Sequence, residues 1–162
     1  MERQSIKKEY RMYGLVPYNI SPIQQGIQFG HAVVEYGLEY GRGHADDPYL
    51  QWARNDKTFI ILNGGTTSTN PESLGTLNYV VSELYSLGVQ FSTFHEPDLG
   101  DQLTAIVFLV DERVWDKVKY PEFDESFEPN ESSKQYYYKE LFGDDYEKVV
   151  EMKEFLSRYK LA

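Results

Sequence analysis

A chain of 162 residues with 41% hydrophobic content has room for one domain with a proper core, and not for two full-sized ones. Its formal charge is −10, and between Met12 and Val110 three basic residues (Arg42, Arg54, Lys57) face ten acidic ones, a balance that disfavours generic nucleic-acid binding. Absent cysteine excludes disulfides, thiol nucleophiles and thiolate metal sites, and no apolar run reaches the roughly 18 residues of a membrane span.

The opening MERQSIKKEYRMYG carries charge but no apolar stretch of a secretory signal, so a cytoplasmic location is expected. The basic cluster Arg3, Lys7, Lys8 and Arg11 is diluted by Glu2 and Glu9. RMYGLV, over about 11–16, is predicted as a first strand, closed by Pro17-Tyr18-Asn19. A helix over 20–40 follows, with Ser21 as N-cap and Pro22 at the first position. Ile23, Ile27, Gly30, Val34 and Leu38 recur at three- and four-residue spacing and are read as its buried face. Gln24, Gln28, His31 and Glu35 recur beside them, a polar stripe able to edge a pocket. The alternative is an ordinary amphipathic helix with His31 tucked under a loop. Gly26 and Gly30 each cost about 1 kcal/mol against alanine, so close packing is expected to require them.

HADDPYLQWARNDK reads as a loop with a helical turn near 49–53. His44, Asp46 and Asp47 lack regular ligand spacing, so no metal site is assigned. KTFIIL, 57–62, is a short buried strand. The loop that follows contains Gly64, Gly65, Thr66 and Thr67, which could offer backbone N–H groups to an anion or serve as a connector. It matches neither the P-loop nor the dinucleotide fingerprint. Asn70 and Pro71 are read as opening a second helix that closes at Gly88, with Leu74, Leu77, Val81 and Leu84 inward. Strands are predicted over 89–94 and 103–110, joined by the acidic turn from His95 to Gln102.

This order predicts an α/β three-layer sandwich: a four-stranded mixed sheet, its last strand antiparallel, with helices on both faces. The domain is assigned to 1–110. Residues 111–162 are assigned to an extension, extended over 111–130 and then helical in two pieces broken at Gly143-Asp144-Asp145. Val149, Met152, Phe155, Leu156 and Tyr159 give the second piece an apolar face, for its own domain or a second subunit.

Two of these segments together resemble a known family. SPIQQGIQFGHA, 21–32, is similar to the first-helix motif of the type 2 peptidyl-tRNA hydrolases, usually GK-I-A-A-Q-x-x-H-A. FHEPDLGDQLTAI, 94–106, is similar to the acidic turn and final strand of the shorter bacterial and phage-type members, which also carry a tryptophan near the position of Trp52. The resemblance covers about three-fifths of the chain, 11–110. It implies metal- and cofactor-free cleavage of the ester joining peptide to tRNA, and a homodimer. By position it carries catalytic roles to Gln28, His31 and Thr104, with Glu96 and Asp98 both matching the family's aspartate. Gln24 stands where the family has lysine, which replaces an ammonium by a weaker amide dipole. Gln24 and, from its own residues, the 64–67 loop are ligand-binding candidates, and chemically Glu96 or Asp98 is read as general base on a water with His31 as acid, while Gln28 and Thr104 orient the carbonyl. Two rivals share the fold. One is a binder of a small molecule such as a nucleotide, in a sequestering role suited to phage-type relatives. The other is an acidic protein–protein interaction module.

Overall fold

The computed structural model describes residues 8–126 and 130–162. Arg3 and Lys7 of the basic cluster, and residues 127–129 of the predicted extended stretch, lie outside the described residues. Two units are present: one runs to Val110 and is rejoined by Tyr159–Ala162, and the other is Asp111–Arg158.

The first unit is an α/β sandwich on a four-stranded mixed sheet. Its strands are β1 (Tyr10–Val16), β2 (Phe59–Asn63), β3 (Ser92–Glu96) and β4 (Gln102–Asp111), in the order β2-β1-β4-β3. β1 and β2 pair in parallel, Met12 opposite Phe59, which requires a crossover. That crossover contains helix α1 (Pro22–Tyr40), whose N-cap Ser21 accepts from the Gln24 N–H at 3.3 Å. β3 and β4 form the antiparallel hairpin. Every residue of β1 from Met12 to Val16 is buried, as expected of a strand covered on both faces.

On one face, Phe29, Ala32 and Tyr36 of α1 pack with Met12, Val16, Trp52, Ala105 and Val107. The approach is close enough that a Cβ on Gly14 would lie 2.3 Å from the Phe29 ring. Phe29, Phe59, Trp52, Tyr49, Tyr36 and Tyr40 continue in an unbroken series of ring contacts at 4.7–6.1 Å. Each such pair adds about 0.5–1.5 kcal/mol beyond simple burial. The short helix α2 (Pro48–Gln51) and a π-helical turn, Trp52–Asp56, supply Tyr49 and Trp52 to this wall. On the opposite face, helix α3 (Leu77–Leu87) turns Leu77, Val80 and Leu84 inward, Leu77 beside Leu15 of β1.

Two helix assignments from sequence are corrected. The aliphatic row of α1 (Ile23, Ile27, Val34, Leu38) faces outward, and the buried row is Gln28, Phe29, Ala32 and Tyr36. Spacing identified a stripe, but the Gly14 hollow and the aromatic wall select Phe29 and Tyr36 to fill it. The second helix opens at Leu77, not at Asn70. The Asn70 side chain instead accepts from the Glu72 N–H within a turn, leaving Leu74 exposed.

Residues 160–162 are not helical. Leu161 bridges Leu62 antiparallel, the Asn63 N–H donates to the Lys160 carbonyl at 2.8 Å, and the Ala162 N–H to that of Ile61 at 2.9 Å. They cover the outer edge of β2, which would otherwise expose unpaired backbone groups.

In the second unit, the chain turns through α4 (Glu112–Trp115) before α5 (Glu131–Phe142) and α6 (Tyr146–Ser157). Arg113 clamps this unit, donating to Asp111 at 2.9 and 3.0 Å, to Asp145 at 2.7 and 2.9 Å and to the Phe142 carbonyl at 3.1 Å. Val149, Met152 and Phe155 are buried, and α6 packs against α4 and α5. Among the described residues no helix is long and apolar enough to cross a membrane.

Candidate functional site

Gln28 enters the site because it lies on α1 between the buried face and the polar stripe. Its amide is fully engaged. Nε2 donates to Glu96 Oε2 at 2.8 Å and to Gln24 Oε1 at 3.1 Å, while Oε1 accepts from the Thr104 hydroxyl at 2.6 Å. An ionised carboxylate only accepts, so Glu96 fixes which end of the amide it meets, and Thr104 must donate to the other.

Thr104 reaches this network through a break in the hairpin ladder. Phe94 pairs with Ala105 and His95 with Leu103, so Thr104 is skipped in the register, its hydroxyl lying 3.3 Å from the Phe94 carbonyl across the hairpin. Ala105 and Val107 pack on the α1 face, and strict alternation from them would send Thr104 to the other side. The extra residue puts Thr104 and Ala105 on the same side, the usual way a bulge re-aims a side chain. On β3, Phe94 and Glu96 lie two residues apart and both address α1.

Glu96 leads into a 3-10 turn, Pro97–Leu99, and its Oε1 accepts from the Asp98 N–H at 3.2 Å. The Gln28 bond, then the Asp98 amide, and lastly His31 hold this carboxyl below its ordinary value, against desolvation. His31 Nδ1 lies 3.9 Å from Glu96 Oε2, and its ring meets Phe94 edge-on at 4.5 Å. Of these groups His31 is the reachable one: its side chain is 47% exposed, that of Glu96 12%, and Gln28 and Thr104 are enclosed.

Gln28, His31, Glu96 and Thr104 are thus brought together with Gln24. Asp98 contributes its backbone N–H while its residue stays exposed. The loop at 64–67 is placed differently from the anion-cradle reading. Gly64 N–H donates to the Val16 carbonyl at 2.8 Å, Gly65 N–H to Asn63 Oδ1 at 2.9 Å, Thr66 N–H to Thr76 Oγ1 at 2.9 Å and Thr67 N–H to Asn19 Oδ1 at 3.0 Å. All four amides are spent on folding the loop. Asp47 is similarly committed, accepting from the N–H groups of Tyr49 and Arg42. Among the described residues no three metal-ligating side chains converge. Phe94 is the site residue that sequence reasoning missed; its signal was the i, i+2 spacing to Glu96.

Two measurements check this network. Thr104→Val keeps the shape but strands the buried Gln28 oxygen, and should cost about 2 kcal/mol, roughly 6 °C in thermal midpoint, with Thr104→Ser close to wild type. Glu96 ionises below 4.5 when folded, so its charge stabilises the fold fully above about pH 4.5 and ceases to as pH falls through the lower folded value. The thermal-midpoint advantage of wild type over Glu96→Gln should therefore hold at neutral pH and shrink below about pH 4.5.

No protein-family model and no curated protein matches the chain.

Proposed function

We propose that the protein is a metal-free ester hydrolase of the peptidyl-tRNA hydrolase type, acting in the cytoplasm, with His31 as proton acceptor and Glu96 as the anion that orients it. The observation that carries this reading is the half-exposed imidazole beside a carboxylate fixed on both oxygens. A carboxylate with a lowered pKa is a poor proton acceptor near neutrality, whereas it is well suited to hold an imidazolium. The carboxylate-as-base role inferred from sequence therefore passes to His31 in the first step, Glu96 staying ionised, and His31 keeps its acid role in the second.

His31 takes a proton from water as the oxygen attacks the ester carbonyl. It then returns that proton to the departing ribose oxygen, so that the acyl C–O bond breaks to give a peptide acid and free tRNA. Gln28 and Thr104 touch no substrate in this scheme and act as positioning residues for Glu96. Gln24 accepts from Gln28 through its side-chain oxygen, and its NH2 is the group assigned to meet the developing oxyanion. The test is release of peptide from diacetyl-lysyl-tRNA by the purified protein; no turnover at high enzyme concentration overturns the reading.

A second reading is favoured by the saturation of Gln28 and Thr104, which leaves Glu96 and His31 as the contact groups. The protein then binds a small hydroxyl- or ammonium-bearing ligand, such as the ribose of a nucleotide, without cleaving it. A ligand-induced rise in thermal midpoint that is lost in His31→Ala, in a protein with no turnover, distinguishes it.

A further inference from the structure

The second unit holds a cavity of about 740 Å³, lined by the stretch that follows α4 and by helices α5 and α6. That is the size of a site for a small organic ligand. Phe123, Tyr138 and Val150 give it an apolar wall, and the Phe123 N–H donates to the Tyr138 hydroxyl oxygen at 3.2 Å. Tyr138 also stacks flat on Phe142, ring centroids 5.5 Å apart, which holds its ring in place. Among the described residues two lysines line the cavity. Lys134 donates to Glu125. Lys153 is placed otherwise. Its side chain is 13% exposed, with the ammonium 5.8 Å from the centre of the Phe142 ring and 3.8 Å from Glu122 Oε1. The same Glu122 oxygen lies closer to Lys117, at 3.3 Å. One carboxylate therefore serves two ammoniums, and Lys117, 68% exposed, is the solvated one. Burial above all holds the Lys153 ammonium below its ordinary pKa; Glu122 opposes this and Lys117 adds to it. A lysine that carries a share of neutral amine beside an apolar wall is a nucleophile for carbonyl carbon.

The geometry points to Lys153 as an imine-forming lysine that takes a neutral aromatic aldehyde into this cavity. Its Nζ adds to the carbonyl carbon as the C=O π pair moves onto oxygen. One proton passes from nitrogen to that oxygen by way of the Glu122 carboxylate, giving the carbinolamine. The hydroxyl then leaves with the second nitrogen proton as water, and a C=N bond remains. Nothing is oxidised or reduced. The ring of the aldehyde meets Phe123 and Tyr138. Glu131, Glu151 and Glu154, exposed at the rim, turn away carbonyl compounds that carry a carboxylate or phosphate. This inference is independent of the hydrolase reading.

Reductive trapping on the full chain tests it: para-methoxybenzaldehyde with cyanoborohydride at about pH 7.5, the alkylated sites being mapped by peptide mass spectrometry. Lys153 should be labelled roughly tenfold or more faster than Lys117, since at that pH an ordinary lysine is almost wholly protonated. The rate at Lys153 should saturate with aldehyde, while that at Lys117 stays proportional to it. The anionic para-carboxybenzaldehyde should lose most of the preference. Val150→Phe fills the cavity and leaves Lys153 in place, so it should abolish the saturation. Lys153 labelled no faster than Lys117 in the wild-type chain overturns the inference. So does fast labelling that never saturates or that Val150→Phe leaves saturable, which takes the cavity out of the reaction. An equal preference for the anionic aldehyde overturns the assigned ligand class.

Discussion

Alanine at position 14 is expected to be strongly destabilising. The added Cβ would sit 2.3 Å from Phe29 Cε2 and 2.9 Å from the Ile106 carbonyl oxygen. The ring could rotate away from the first of these, but the second is backbone of the central β4 ladder. Phe29 is itself enclosed between β1 and the aromatic wall, so moving it transmits strain to Phe59 and Trp52. Overpacking of this kind costs about 3 kcal/mol, and in a chain of this length that is roughly a 10 °C fall in thermal midpoint. Phe29→Leu in the same molecule should recover part of the loss, because it empties the space the methyl needs. A double-mutant cycle showing simple additivity would mean that the two positions do not meet.

His31→Gln is expected to lower peptide release from diacetyl-lysyl-tRNA by roughly a hundred- to ten-thousand-fold, the range a positioned proton acceptor contributes. Glutamine keeps a polar side chain of similar reach, so the edge contact with Phe94 and the fold should survive, and the thermal midpoint should move little. Gln28→Leu should act differently. It leaves Glu96 held only by the Asp98 N–H and Thr104 only by its 3.3 Å bond to the Phe94 carbonyl, reducing both stability and rate, as befits a residue that works through its neighbour. If His31→Gln retains full activity while Glu96→Gln abolishes it, the carboxylate takes the proton and the assignment made here reverses.

The N-cap at Ser21 and the left-handed stop at Gly88 were legible because each depends on a few adjacent residues, and the four-stranded mixed sheet because alternating strands and helices require crossovers. The meeting of Gln28 and His31 with Glu96 and Thr104 was legible through the likeness of two separated motifs, since nothing local links positions so far apart. The inward face of α1 was misread because Ile, Val and Leu were weighted above Phe29, Ala32 and Tyr36. The choice between two apolar stripes is made by the surface beneath, here Gly14 and an aromatic wall. The start of α3 was misread because Asn-Pro caps a turn as readily as a helix. The glycine–threonine loop was ambiguous for a different reason. Whether backbone amides face a ligand or their own chain depends on Asn19 and Thr76, distant partners that local pattern does not reveal.

The register skip at Thr104 also bears on how this hairpin could change length over evolutionary time. Residues added or lost within 97–101 alter a surface turn whose ends remain fixed by the pairing of Glu96 with Gln102. A single insertion or deletion between Leu103 and Val107 is another matter, because it would exchange the two sides of β4 in one step. The count of residues along β4 is therefore the tighter constraint, while the tip need keep only the N–H that Glu96 accepts from position 98.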